Sequence, residues 1–137
     1  MKNKKNFTLQ IALVVLMMVG VESCSLYPDN QGITLVSRID RLSTTWKVEN
    51  YKVNGTDYTS LVTGYTETYT KQGAYSYQWG IFGGTGTWAF KSNDAQIQIT
   101  GVNNQADKTL FILRLEETQF WYYYMDGTDK KEYHLIK

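Results

Sequence analysis

The side chains best suited to chemistry are few. One histidine, His134, and one cysteine, Cys24, are the only members of their kinds in 137 residues. A Ser-His-Asp or Cys-His site needs a nucleophile, a base beside it and a group that orients the base. His134 sits one residue off the phase of Tyr133 and Leu135 in the last strand-like run, so it reads as a surface or rim imidazole. Structural or catalytic zinc takes several His or Cys ligands, and that inventory is missing. The carboxylates of Asp126-Gly127-Thr128-Asp129-Lys130-Lys131-Glu132 stand three apart but lack the alternating oxygens of a calcium loop and carry two lysines. They read as a solvated hairpin, and Glu116-Glu117 as a polar turn. Gly83-Gly84-Thr85-Gly86 is followed by a strand-like run, with no helix whose N-terminus could hold a phosphate, and reads as a turn where the backbone bends tightly. No catalytic residue, metal ligand or cofactor motif emerges, and an enzyme is not expected.

Aromatic side chains are the remaining resource. They make up 15% of the chain, with 11 tyrosines against a single proline, a composition that favours strands. Phe120-Trp121-Tyr122-Tyr123-Tyr124 must place rings on both faces of one strand, because side chains alternate with period two. One face can line a core and the other can present rings to a sugar or a protein, unless neighbouring strands or the tether cover it. Tyr75, Tyr77, Trp88, Tyr122 and Tyr124 are the candidate ligand-binding residues.

Those rings need strands to hold them. Short runs rich in Tyr, Trp, Thr, Ile and Val follow one another from Thr45, separated by turn residues every 8 to 15 positions. Thr45 to Val53 ends in Asn54-Gly55, a strong hairpin signal. Asp57 to Val62 reads as a loop or one helical turn. Gly64 to Thr70 sets Tyr65 and Tyr69 against Thr66, Thr68 and Thr70, and Ala74 to Trp79 sets Tyr75, Tyr77 and Trp79 on one face. Thr87 to Phe90, Ala95 to Thr100, Lys108 to Leu115, Gln119 to Met125 and Glu132 to Lys137 complete eight strands, with Phe111, Leu113 and Leu115 opposite Leu110, Ile112 and Arg114. The expected fold is all-β: an eight-stranded antiparallel meander able to close into a barrel, which removes exposed edges. At eight strands the interior is filled by side chains or admits one small ligand, and both remain open.

The N-terminus has a different character. Lys2, Lys4 and Lys5 precede an 11-residue apolar run, Ile11 to Val21. That is the layout of a secretory signal peptide, and the run is too short for a comfortable membrane span of roughly 20 residues. The chain carries 14 basic and 13 acidic residues; loss of residues 1–23 removes three lysines and Glu22 and leaves 11 and 12. With Arg38, Arg41 and Arg114 scattered, no basic stripe offers itself to nucleic acid.

Val21-Glu22-Ser23-Cys24 resembles the lipobox of bacterial lipoproteins, with an aliphatic residue three before the cysteine and a small one directly before it. The resemblance implies a signal peptide over 1–23, a diacylglyceryl group on Cys24, and residence in the bacterial cell envelope at the outer membrane. The lone cysteine also excludes an intramolecular disulfide. Residues 24–41 read as lipidated cysteine and tether, with turn formers at Pro28 to Gly32.

From Leu42 onward, Leu42 with Trp46, Val53-Asn54-Gly55, Tyr69 with Gly73 and Tyr75, Gly84-Thr85-Gly86-Thr87-Trp88, and Phe111 to Leu115 together resemble the small lipocalin-like lipoproteins of Gram-negative bacteria. Residues 42–137 are then expected to form a lipocalin-like barrel. What the resemblance implies is a lipid-anchored binding module for a small apolar or glycan-like ligand. The alternative is a structural lipoprotein with a filled barrel that docks to another envelope protein.

Overall fold

The computed structural model describes residues 26–30 and 34–137. The proposed signal peptide and Cys24 lie outside the described residues. A five-residue helix α1 (Arg38–Leu42) leads into strands β1 (Thr45–Val53), β2 (Thr56–Asp57), β3 (Thr66–Tyr69), β4 (Ala74–Trp79), β5 (Phe82–Lys91), β6 (Gln96–Thr100), β7 (Lys108–Leu115), β8 (Gln119–Asp126) and β9 (Asp129–Ile136), with a 3-10 turn at Thr59–Val62. Among the described residues no helix is long and apolar enough to cross a membrane.

Every neighbouring pair of strands is antiparallel. Strand β1 pairs through its first residues with β3, Thr45 opposite Thr68, and through the rest with β9, from Lys47 opposite Ile136 to Val53 opposite Lys131. That double pairing closes the eight long strands into the expected meander barrel. The two-residue β2 is an extra flap on β1. Asn54 and Gly55 both have positive φ, as the primed turn between β1 and β2 requires.

Two local expectations are corrected. The cluster Gly83-Gly84-Thr85-Gly86 is not a turn: it lies inside β5, which begins at Phe82 and is longer than the Thr87 to Phe90 run. The turn is at Gly80-Ile81, with Trp79 opposite Phe82. Gly84 and Gly86 are small because neighbours come close: a β-carbon on Gly84 would stand 2.6 Å from Cε1 of Tyr77, and one on Gly86 would collide with the carbonyl oxygen of Thr100. The second correction concerns β7, where a bulge between Ile112 and Arg114 breaks the simple alternation. Ile112 and Leu115 both turn inward opposite Tyr122 and Phe120, while Arg114 pairs with Trp121 on the outside.

The barrel has two unlike ends. One gathers the start of β1, the turns after β3, β5 and β7, and α1, which lies across it. Leu42, Trp46, Leu115, Phe120 and Leu135 are fully buried there, and each such side chain contributes roughly 1.5–3 kcal/mol by burial. The Trp46 indole donates to the carbonyl of Leu42 at 3.0 Å, tying barrel to helix. The Ser37 side chain caps α1 by accepting from the Asp40 amide at 3.1 Å. Residues 26–30 also dock on this end: Tyr27 is 1% exposed, and its hydroxyl donates to the carbonyl of Asp94 at 2.9 Å. The opposite end carries the β4–β5 and β8–β9 turns and the longer connections 54–65 and 101–107.

Candidate functional site

Alternation along β3 and the residue before it sends Tyr65, Glu67 and Tyr69 into the barrel. Glu67 is a carboxylate only 2% exposed. Four tyrosine hydroxyls donate to it. Tyr65, Tyr75 and Tyr122 reach Oε1 at 2.6, 3.2 and 2.7 Å, and Tyr69 reaches Oε2 at 2.7 Å. A carboxylate offers about four lone-pair positions, two on each oxygen; three donors crowd Oε1 and one reaches Oε2. An unsatisfied buried charge would be very costly. Here three strands meet around one acid: β3 supplies Glu67 and Tyr69, β4 supplies Tyr75 and β8 supplies Tyr122.

The tyrosines are held neutral. Burial pushes the Tyr65, Tyr69, Tyr75 and Tyr122 hydroxyls well above their ordinary range, and the negative charge of Glu67 pushes further in the same direction. Burial also raises Tyr133, helped by Tyr124. A hydroxyl already spent on donating to Glu67 can offer a further partner only its oxygen as an acceptor.

Above this layer, toward the open end, lies a cavity of about 130 Å³ lined by rings of Tyr65, Tyr75, Tyr77 and Tyr133, by Ile99 and Val102, and by Gln105, Ala106 and Lys108 at its rim. The Tyr65 and Tyr77 rings stack at 6.1 Å between centroids, and Tyr65 meets Tyr133 at 5.5 Å. Lys108 lies with its Nζ 4.4 Å from the Tyr124 ring centroid. Burial pushes the Lys108 ammonium pKa down, while Glu67 below pulls it up. The cavity is smaller than the roughly 300 Å³ at which small-molecule sites usually begin.

The five candidate residues all face inward but do not form one site. Tyr75 and Tyr77 line the cavity. Tyr122 lies beneath it, bound to Glu67 and stacked on Tyr133 at 5.4 Å. Trp88 fills the other half of the barrel, its indole donating to the Thr70 carbonyl at 2.9 Å and its ring edge-on to Tyr69 at 5.9 Å. Tyr124 stands between Tyr133 and Lys108, with burial raising its hydroxyl to about 12. Glu67, Lys108, Tyr65 and Tyr133 are further candidate positions, not singled out by the sequence alone. A signal for Glu67 existed: it is the one charged residue on the tyrosine phase of the Gly64 to Thr70 run.

The outward rings of β8 are covered by their neighbours. Trp121 is sandwiched between His134, parallel at 4.0 Å, and the Arg114 guanidinium at 3.8 Å. Tyr123 stacks on Phe111 at 4.9 Å, with Lys130 Nζ 4.5 Å from its ring centroid. His134 Nε2 lies 2.8 Å from Glu132 Oε1 on this outer face, away from the cavity. Burial raises the Glu132 carboxyl, but hydrogen bonds from Lys130 and His134 outweigh it and leave the pKa lowered. Among the described residues no three His, Cys, Asp or Glu side chains are grouped to hold a metal ion. No family model matches the chain, and no curated protein matches it.

Proposed function

We propose that this chain is a lipoprotein of the bacterial cell envelope, moored at the outer membrane by a lipid on Cys24, whose barrel binds one small ligand at its open end and catalyses no reaction. The observation that carries the binding reading is the tyrosine-lined cavity above Glu67. Its floor offers acceptor oxygens, because the Tyr65 and Tyr75 hydroxyls already donate to the carboxylate. Its rim offers one half-buried amine, Lys108. A compact ligand with donor groups, or the end of a glycan, suits a space of about 130 Å³ better than an acyl chain does. The small lipocalin-like lipoproteins that the sequence resembles are the family in which this arrangement would fall.

A second reading has its own support. The middle of the barrel is filled by Glu67 and its tyrosines, and the β4–β5 tip exposes Trp79, Ile81 and Phe82 together. A structural lipoprotein that docks through this tip to another envelope protein would need no cavity at all.

Native mass spectrometry of the protein purified from its own cells separates the two. The binding reading predicts a small companion mass that is lost in Gly84→Ala, where the new β-carbon crowds Tyr77 and Val102 of the cavity wall. A bare mass in the wild type would favour the docking reading. Independently, Cys24→Ala should move the protein from the membrane fraction to the soluble one, and continued pelleting would refute lipid attachment.

A further inference from the structure

From the docked segment at the closed end we infer that the barrel stands on that end against the bilayer, with the cavity mouth turned away from the lipid. This inference rests on lipid attachment at Cys24. Tyr27 is buried, and Asp29 and Asn30 after it are stitched to the same end: Asp29 donates its amide to the Leu113 carbonyl at 2.9 Å, Arg114 Nε donates to the Asp29 carbonyl at 2.6 Å, and the Leu115 amide donates to Asn30 Oδ1 at 2.9 Å. Consecutive α-carbons are 3.80 Å apart, so Cys24 lies within about 11 Å of Tyr27 whatever path residues 25 and 26 take. A lipid on Cys24 would leave the closed end no room to stand off from the membrane.

The surface around that point suits a lipid interface. Leu26, Leu35, Val36 and Ile39 are exposed, Leu35 completely and Ile39 by 46%. They sit on chain pinned to the closed-end turns: Thr34 bonds Glu117 at 3.1 Å, and Arg38 pairs with Asp94 at 2.8 Å. The charges at this end are largely matched among themselves. Asp40 pairs with Lys71, the Arg41 guanidinium donates to the Leu115 carbonyl and feels Glu116 and Glu117, and Lys137 lies 5.5 Å from the Trp46 ring centroid. The seat is therefore apolar and near neutral, and its contact with lipid should change little with salt. Strands of eight residues, tilted as in small barrels, place the mouth on the order of 20 Å above it. Ligand would then reach the cavity from water and not from the bilayer.

The test uses the full chain in isolated membranes, with Ile39→Cys and Ile81→Cys each carrying an environment-sensitive thiol dye, and phospholipids bearing a quencher. Both positions are exposed, Ile81 by 92%, so neither change threatens the fold. Wild-type protein comes first. A lipidated Cys24 takes no dye, whereas labelling of the wild type would show a free thiol and overturn both the anchor and the orientation. With Cys24 blocked, quenching several-fold stronger at position 39 than at 81 is the expected result. Equal quenching, or stronger quenching at 81, would overturn the orientation while leaving the anchor standing.

Discussion

At the closed end of the barrel Trp46, Leu42, Phe120, Leu115 and Leu135 are all fully buried, and α1 and residues 27–30 are hydrogen-bonded over the outside. The open end has the same kind of strands and is also rich in aromatic rings, yet it holds a cavity of about 130 Å³ and carries the longer connections 54–65 and 101–107. Glu67 and its four tyrosines form the layer between them. The contrast shows that ring content alone decides nothing: apolar rings interlocked with aliphatic side chains fill a barrel, while tyrosines turned toward one carboxylate hold a space open above it. Stability should then reside in the closed half and the dividing layer, and receptivity in the open half.

The dividing layer gives the largest expected effect. Tyrosine in an unfolded chain titrates near 10, whereas Tyr65, Tyr69, Tyr75, Tyr122 and Tyr133 stay neutral in the fold well above that. Their folded pKa values are raised, so the stability they contribute is complete below pH 10 and is lost as pH rises beyond it. Each costs about 1.4 kcal/mol per pH unit there, and five together would consume an ordinary domain's stability of roughly 5–15 kcal/mol within one or two units. Tyrosinate absorbance should appear in one cooperative step coincident with loss of the β circular dichroism signal. Gradual titration near pH 10 in a folded protein would show that the layer is open to water.

Substitution separates the two halves next. Trp46→Ala should lower stability by about 3–5 kcal/mol in urea denaturation. Tyr77→Ala, which removes a half-buried ring from the cavity wall, should cost about 1–2 kcal/mol. Equal losses would erase the distinction between the ends.

Glu67→Leu should destabilise by about 3 kcal/mol, because it removes the acceptor of four buried tyrosine hydroxyls. Adding Tyr69→Phe and Tyr122→Phe should return part of that loss. The recovery, read from denaturation midpoints, would show that unsatisfied donors and not lost packing cause the damage.

The β5 glycines give a graded pair of effects. Gly86→Ala meets the backbone carbonyl of Thr100 and should cost about 2–3 kcal/mol, while Gly84→Ala meets the side chains of Tyr77, Asn103 and Val102, which can shift, and should cost about 1 kcal/mol. Thermal melts of the two variants in parallel would rank them.

Much of the frame was legible in the sequence. The bounds of β1, β4 and β7 follow from alternation and from Asn54-Gly55, since period-two patterning and a primed turn are local properties of the chain. What escaped depends on distant partners. The β5 glycines look like a turn because flexibility is glycine's usual local meaning, and only the neighbours Tyr77 and Thr100 reveal that smallness is the requirement. Tyr65, Glu67 and Tyr69 show their shared phase in one strand, but Tyr122 lies 55 residues further along the chain, and no spacing rule links it to Glu67. Tyr27, beside a turn former, gives no local sign that it is buried against the Asp94 turn. The bulge in β7 likewise belongs to the pair of strands and not to either alone.

Amide hydrogen exchange on the full chain tests the division most directly. Amides of β1 and β8 around Trp46 and Phe120 should exchange only through global unfolding, segments 79–82 and 101–107 should exchange through local opening, and any companion molecule should slow the open half alone. Uniform protection across the barrel, or earlier exchange at Trp46 and Phe120 than at 101–107, would contradict it.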